Sequence, residues 1–200
     1  MLTLFFYKLQ GVIKTLTHIG TKEIKTERLI LIRFKPEDAK AMFETWANDE
    51  RVTRYLTWTP HGNIEVTEFV IGLWLKDYEK ENCYNWAIEF EGKLIGSIAC
   101  VSLDENSEFG EIGYCIAYDF WGKGIVTEAT KAVIDFLFKE VNLNRIIIEY
   151  AVKNPASGKV ITKCGLTLEG IKREHFKSAS GEFLDIASYS ILRKEWEAQI

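Results

Sequence analysis

One short segment constrains this chain more than any other. Residues 110–117 form an apolar, strand-like run, Trp121-Gly122-Lys123-Gly124 follows at once, and a helical pattern then extends to about Glu140. Two glycines one residue apart let a backbone turn tightly and come close to a ligand. The first amides of the helix that follows have no partner within it. With the helix dipole they make a place for an anion. The amides of Gly122, Lys123, Gly124, Ile125, Val126 and Thr127 would suit a pyrophosphate. A bare strand-to-helix turn needs the same glycines, so the glycines alone do not choose between the two. Two common phosphate motifs are excluded. A Walker loop needs Ser or Thr after Gly-Lys, where Gly124 stands. A dinucleotide loop needs a third glycine three residues on, and that position is Thr127.

Around this segment the pattern is regular. Residues 29–34 read as a strand. Pro36 then opens a helical stretch in which Ala39, Met42, Phe43 and Trp46 recur at three and four. A second amphipathic helix is expected over residues 65–80. Strands at 84–90 and 94–103 meet at Glu91-Gly92-Lys93, a hairpin signal. The β-branched run Ile146, Ile147, Ile148 marks another strand. Asn154-Pro155 opens a short helix that stops near Gly165. Strands at 166–176 and 183–192 flank a turn at 178–181. The order predicts an α/β (α+β) fold, a mixed and mostly antiparallel sheet of about seven strands with helices on both faces. Residues 1–22 read as an N-terminal extension in which Leu2, Phe6, Leu9, Ile13 and Leu16 share one helical face, and residues 23–200 as the domain.

Composition narrows the function. With 200 residues the chain fits one domain with a real core. A net charge of −4 argues against a nucleic-acid binder, which needs a basic face. Cys83, Cys100, Cys115 and Cys164 form no CxxC pair and no zinc spacing, so they read as buried free thiols and no metal is expected. No apolar run is long enough for a bilayer, and residues 1–16 lack the basic start and the cleavage site of a signal peptide. The expectation is a cytoplasmic protein that does not bind membranes.

A second segment supports the first. Asn154-Pro-Ala-Ser157-Gly-Lys159 follows a buried strand directly after the glycine-loop helix. It would set another helix N-terminus, Ser157 and Lys159 beside the first anion site, although Asn154 also reads simply as an N-cap. Together, Trp121-Gly-Lys-Gly-x-x-Thr-Glu-Ala129, Asn154-x-x-Ser157 and Lys163-x-Gly165 resemble the acetyl-coenzyme A motifs of the GNAT superfamily. Thr26-Glu-Arg-Leu-x-Leu-x-x-Phe34 with Pro36-x-Asp38-Ala39, and Asp185 with Tyr189, are similar to the bacterial branch that acetylates the N-termini of ribosomal proteins. The resemblance runs from Thr26 to Trp196. There are departures. Asp119 stands where Gln or Arg is frequent. Lys159 keeps the charge of the usual Arg but not its fork. Gly158 replaces a branched residue and should loosen its helix.

The resemblance implies an N-acetyltransferase with acetyl-CoA as co-substrate and no metal. The acceptor would be a primary amine, first of all a protein or peptide N-terminus such as that of a ribosomal protein, attacking directly in a ternary complex. Alternatives are a small-amine acetyltransferase and a non-catalytic CoA-binding regulatory module; a nucleotide-binding protein lacks its motifs. By the same resemblance the strand before the glycine loop splays from its neighbour, and the backbone of Cys115, Ile116 and Ala117 holds the pantetheine arm. An N–H there would polarise the thioester. The amides of residues 122–127, with Asn154, Ser157 and Lys159, complete the cofactor set. Glu111 is the candidate general base, though it reads equally as an exposed strand carboxylate; Glu149, Asp185 and His175 follow. Ser157 matches the position proposed to assist the leaving thiolate, and otherwise satisfies a helix amide. Cys115 is expected to be inert. Tyr55, Trp58, Trp74, Tyr84 and Trp86 are candidates to line the acceptor pocket. A homodimer is also expected.

Overall fold

The computed structural model describes residues 16–178 and 181–199. Its centre is one sheet of eight strands: β1 (Ile24–Lys25), β2 (Leu29–Ile32), β3 (Asn85–Phe90), β4 (Lys93–Asp104), β5 (Phe109–Ile116), β6 (Arg145–Ala151), β7 (Thr167–Lys177) and β8 (Phe183–Leu192). The order across the sheet is β1-β2-β3-β4-β5-β6-β8-β7. All neighbours are antiparallel except β5 and β6. The strand beyond the expected seven is β1, whose two residues are too few to show an alternation.

Strand periodicity sorts the core into two layers, because successive side chains point to opposite faces. On one face Leu29 and Leu31 of β2 join Trp86 and Ile88 of β3. They pack against Ile125, Ala129, Val133 and Leu137 of α4 (Ile125–Lys139). These recur every four residues, one stripe of a helix. On the other face Ala87 of β3 joins Phe34, Met42, Trp46 and Ile71. Met42 belongs to α1 (Ala39–Met42) and Ile71 to α3 (Ile64–Asp77), whose N-cap Asn63 accepts a hydrogen bond from the Val66 amide. Each fully buried large side chain contributes about 1.5–3 kcal/mol relative to exposure. The stretch from Pro36 passes through a 3-10 turn, α1 and a π turn (Phe43–Ala47) that carries Trp46 into the core. The short helices α2 (Glu50–Thr53) and α6 (Arg193–Glu197) have no signal in the periodicity. Between α4 and the C-terminus, α5 (Pro155–Lys163) links β6 to β7.

The expected N-terminal helix is not found where it can be checked. Residues 16–22 are neither helix nor strand. They are stitched to the domain: the Thr17 amide donates to Val141 O (3.0 Å), the Gly20 amide to Glu81 O (2.7 Å) and Trp86 Nε1 to Lys22 O (2.6 Å). Leu16 packs on the core, whereas Leu2, Phe6, Leu9 and Ile13 lie outside the described residues. Among the described residues no helix is long and apolar enough to cross a membrane.

Candidate active site

The sheet opens at its parallel pair. β5 and β6 are in register only from Phe109–Arg145 to Glu111–Ile147, and beyond that they part. On the other side β5 stays paired to β4 as far as Gly96–Ile116, with a register shift between Cys100 and Ser102 opposite Ile112 and Glu111. Gly96 makes that close pairing feasible, because a Cβ there would stand 2.4 Å from the Cys115 carbonyl oxygen. The gap is a cleft of about 930 Å³ whose walls include Glu111, Tyr114, Glu149, Tyr150 and Ser157.

Strand parity decides which backbone groups face the gap. The Ala117 amide donates to Ile95 O of β4 at 2.7 Å, while the Ile116 carbonyl points the other way and accepts from Trp121 Nε1 at 2.9 Å. N–H and C=O of one residue share a side of a strand and alternate along it. Cys115 and Ala117 therefore turn their backbone toward β4. The open edge belongs to Tyr114 and the Ile116 amide. Of the three residues expected to offer backbone groups to a pantetheine arm, Ile116 alone turns its backbone to the open edge, and Cys115 and Ala117 face β4. The Cys115 thiol lies 3.2 Å from Ser97 Oγ, and burial pushes its pKa up, away from a reactive thiolate.

The glycine turn follows β5, past a 3-10 turn at Tyr118–Phe120. Gly122 and Gly124 have φ of +74° and +76°, the left-handed region in which glycine carries no penalty. Gly124 is the N-cap of α4 and supplies no side-chain acceptor. The Ile125 side chain is core, so only its amide is available. Trp121 and Tyr118 pack at 4.9 Å, and Lys123 Nζ rests over the Phe120 ring. The turn is tied down from an unforeseen quarter. Glu128, in the first turn of α4, accepts from Thr26 Oγ1 (2.6 Å), the Arg28 amide (2.9 Å) and Arg28 Nε (2.7 Å). Burial opposes ionisation of Glu128, but these donors outweigh it and lower its pKa.

At α5, Asn154 is an N-cap whose Oδ1 accepts the Ser157 amide at 3.4 Å, while its Nδ2 donates to Ser157 Oγ at 3.1 Å. The serine oxygen thus takes a hydrogen bond and its own proton is left to give. Tyr114 Oη donates to Ser157 O at 3.4 Å. Gly158 is explained by its neighbour. A Cβ there would meet Tyr150 Oη at 2.6 Å, so the ring takes the place of the missing side chain. Lys159 is exposed.

Glu111 sits on the cleft wall at the last paired position of β5, where the strands part. Burial and the neighbouring Glu149 raise its pKa, and Lys172 offsets part of this. Glu149 is itself paired to Lys172 Nζ at 2.5 Å. His175 lines the cleft, whereas Asp185 does not and instead accepts the Glu174 amide at 2.8 Å, supporting the irregular stretch of β7. Tyr55, Trp58, Trp74 and Tyr84 reach the cleft. Trp86 does not. It is fully buried, edge-on to Phe136 on the α4 side. Among the described residues no group of His, Cys, Asp and Glu could hold a metal ion.

A sheet parted at its one parallel pair, with a glycine turn between the parted strand and the next helix, is the frame of an N-acetyltransferase. Comparison with known proteins gives the family. The model of the acetyltransferase (GNAT) domain matches residues 28–167, and the chain belongs to that family. The protein named "Putative ribosomal N-acetyltransferase YdaF" from Bacillus subtilis (strain 168) is 32% identical over 176 residues, covering 86% of this chain and 96% of its own. The "Ribosomal-protein-serine acetyltransferase" of Escherichia coli (strain K12) is 32% identical over 84 residues, 42% of this chain and 47% of its own. Among solved structures, a protein described as a probable acetyltransferase superposes with a TM-score of 0.80 at 31% identity, covering 88% of this chain and 99% of that one. The chain is an acetyl-CoA-dependent N-acetyltransferase with a GNAT fold.

Proposed function

We propose that this enzyme acetylates the α-amino group of a protein N-terminus, with ribosomal proteins, and hence the cytoplasm, as its setting. The names of the two relatives support that acceptor. The observation that carries the chemistry is Glu111: a half-buried carboxylate with raised pKa, on the wall of the gap, with Glu149 nearby. An incoming α-amine titrates near ~8, so it needs only a modest base.

The cofactor's pyrophosphate lies on the amides of Gly122 to Thr127, with Lys123 and Lys159 contributing charge. Its pantetheine arm runs along the open edge of β5 at Tyr114 and Ile116. The amine nitrogen then attacks the thioester carbonyl carbon. The C–N bond forms as the C–S bond breaks, and the nitrogen's proton passes to Glu111 directly or through water. The Ile116 amide stabilises the developing oxyanion. The thiolate leaves toward Ser157, whose hydroxyl donates to it. A protein N-terminus suits the wide, aromatic side of the cleft at Tyr55, Trp58 and Trp74.

The test is thiol release from acetyl-CoA with N-terminal peptides of ribosomal proteins beside amino acids and polyamines, for wild type and Glu111→Gln. Release with the peptides, and a fall of about 10²-fold or more in kcat for the variant, is expected. A base must be ionised, so the acid limb that Glu111 adds to the wild-type profile lies above the ordinary glutamate value of ~4.3, and in Glu111→Gln only the amine's own titration near ~8 remains. Stability moves the other way. A carboxylate whose pKa is raised by folding costs stability above that pKa, so Glu111→Gln should melt no lower than wild type at pH 7. Release with small amines alone would overturn the acceptor, and an unchanged kcat in the variant would overturn the base.

A further inference from the structure

The glycine turn is held by a residue about a hundred positions away in sequence. Arg28 lies in the corner between β1 and β2 and reaches α4 with its whole donor set. Its Nε and Nη2 hold Glu128 Oε2 at 2.7 and 2.6 Å, its amide holds Glu128 Oε1 at 2.9 Å, and its Nη1 holds the carbonyl oxygen of Lys123 at 3.1 Å. Thr26 Oγ1 closes the set on Glu128 Oε1 at 2.6 Å.

Two physical consequences follow. In a trans peptide C=O and N–H point in opposite directions. Fixing the Lys123 carbonyl on Arg28 therefore aims the Gly124 amide away from the β1–β2 corner. A glycine pair leaves this plane free to rotate, and nothing else among the described residues holds that carbonyl. The second consequence is electrostatic. A carboxylate in the first turn of a helix satisfies the same dipole that would bind a phosphate and repels a second anion. Arg28 neutralises Glu128 where the anion is to bind.

We propose that Arg28 is a positioning residue for cofactor binding, acting through Glu128 and the Lys123 peptide to orient the glycine turn and to cancel the one carboxylate of the helix's first turn. The inference rests on the proposed seat of the pyrophosphate at this turn. Arg28 need not touch the cofactor.

The experiment titrates coenzyme A by calorimetry into wild type, Arg28→Ala, Glu128→Gln and the double variant, with a melting curve for each. Arg28→Ala should weaken binding about tenfold, with kcat at saturating acetyl-CoA close to wild type. The double variant should regain at least about threefold of that loss, because no bare carboxylate remains, while melting no higher than the single variant. A purely structural brace predicts the opposite, with the double variant binding no better than Arg28→Ala. That result, or wild-type affinity in Arg28→Ala, overturns the proposal. Where Arg28→Ala is too unstable, Arg28→Lys serves the same comparison, since it keeps the charge and loses the fork. Tight binding by all four proteins would overturn the role of Arg28 and leave the acetyltransferase reading intact. No binding by wild type would sink both.

Discussion

Two helices follow the two strands that part, α4 after β5 and α5 after β6, and their first turns are built in opposite ways. At α5, Asn154 caps its own helix, Pro155 removes one spare donor, and the Ser157 amide is already bonded. At α4, Gly124 caps without a side chain, and no side-chain cap takes the amides after it. A helix end that satisfies itself is a structural end, whereas one that leaves its donors exposed suits an anion. The sequence makes them look alike, as two N-termini near two basic residues. The structure separates them: the first turn of α4 has no side-chain cap, which fits the proposed seat for phosphate, and Asn154 at α5 holds the Ser157 hydroxyl.

Substitutions at the two ends should therefore separate binding from stability. The largest effect is expected at the open end. In Gly122→Glu the backbone cost of the left-handed conformation is about 1–2 kcal/mol, and a negative charge enters the anion seat. No atom lies within 4 Å of the new Cβ, so the protein should fold while coenzyme A binding falls about 100-fold by calorimetry. At the closed end, Gly158→Val drives into Tyr150 and should cost about 1–3 kcal/mol of stability, read from denaturant midpoints. Asn154→Ala should cost about 1 kcal/mol and lower kcat a few-fold through Ser157, with little change in cofactor affinity. Lys159→Ala is the smallest: within about 0.5 kcal/mol in stability, with a slight, salt-dependent loss of affinity. If Asn154→Ala weakened binding more than Gly122→Glu, the contrast between the two ends would be wrong.

Much of this was readable in advance where the signal is local. The apolar run at 29–34 marks β2, the turn at Glu91-Gly92-Lys93 marks the hairpin of β3 and β4, the glycine pair marks the entry to α4, and Asn154-Pro155 marks the start of α5. What could not be read depends on register or on distant partners. Which residues of β5 face the gap follows from the Ala117–Ile95 pairing, a parity that no residue type reveals. Trp86 looked like a pocket wall because it is aromatic, yet its strand position turns it toward α4. Gly158 reads as a departure from the family pattern, and only the fold shows that Tyr150 occupies the space a side chain would need. Arg28 and Glu128 each lie inside motifs that could be singled out, but their meeting across the fold left no trace in spacing.

The most direct test of the central claim follows backbone amide resonances of the ¹⁵N-labelled protein during titration with coenzyme A. The account predicts the largest downfield proton shifts at Gly122 through Thr127, with smaller changes at Ser157 and Gly158. Shifts confined to the start of α5, with the α4 turn unmoved, would contradict it.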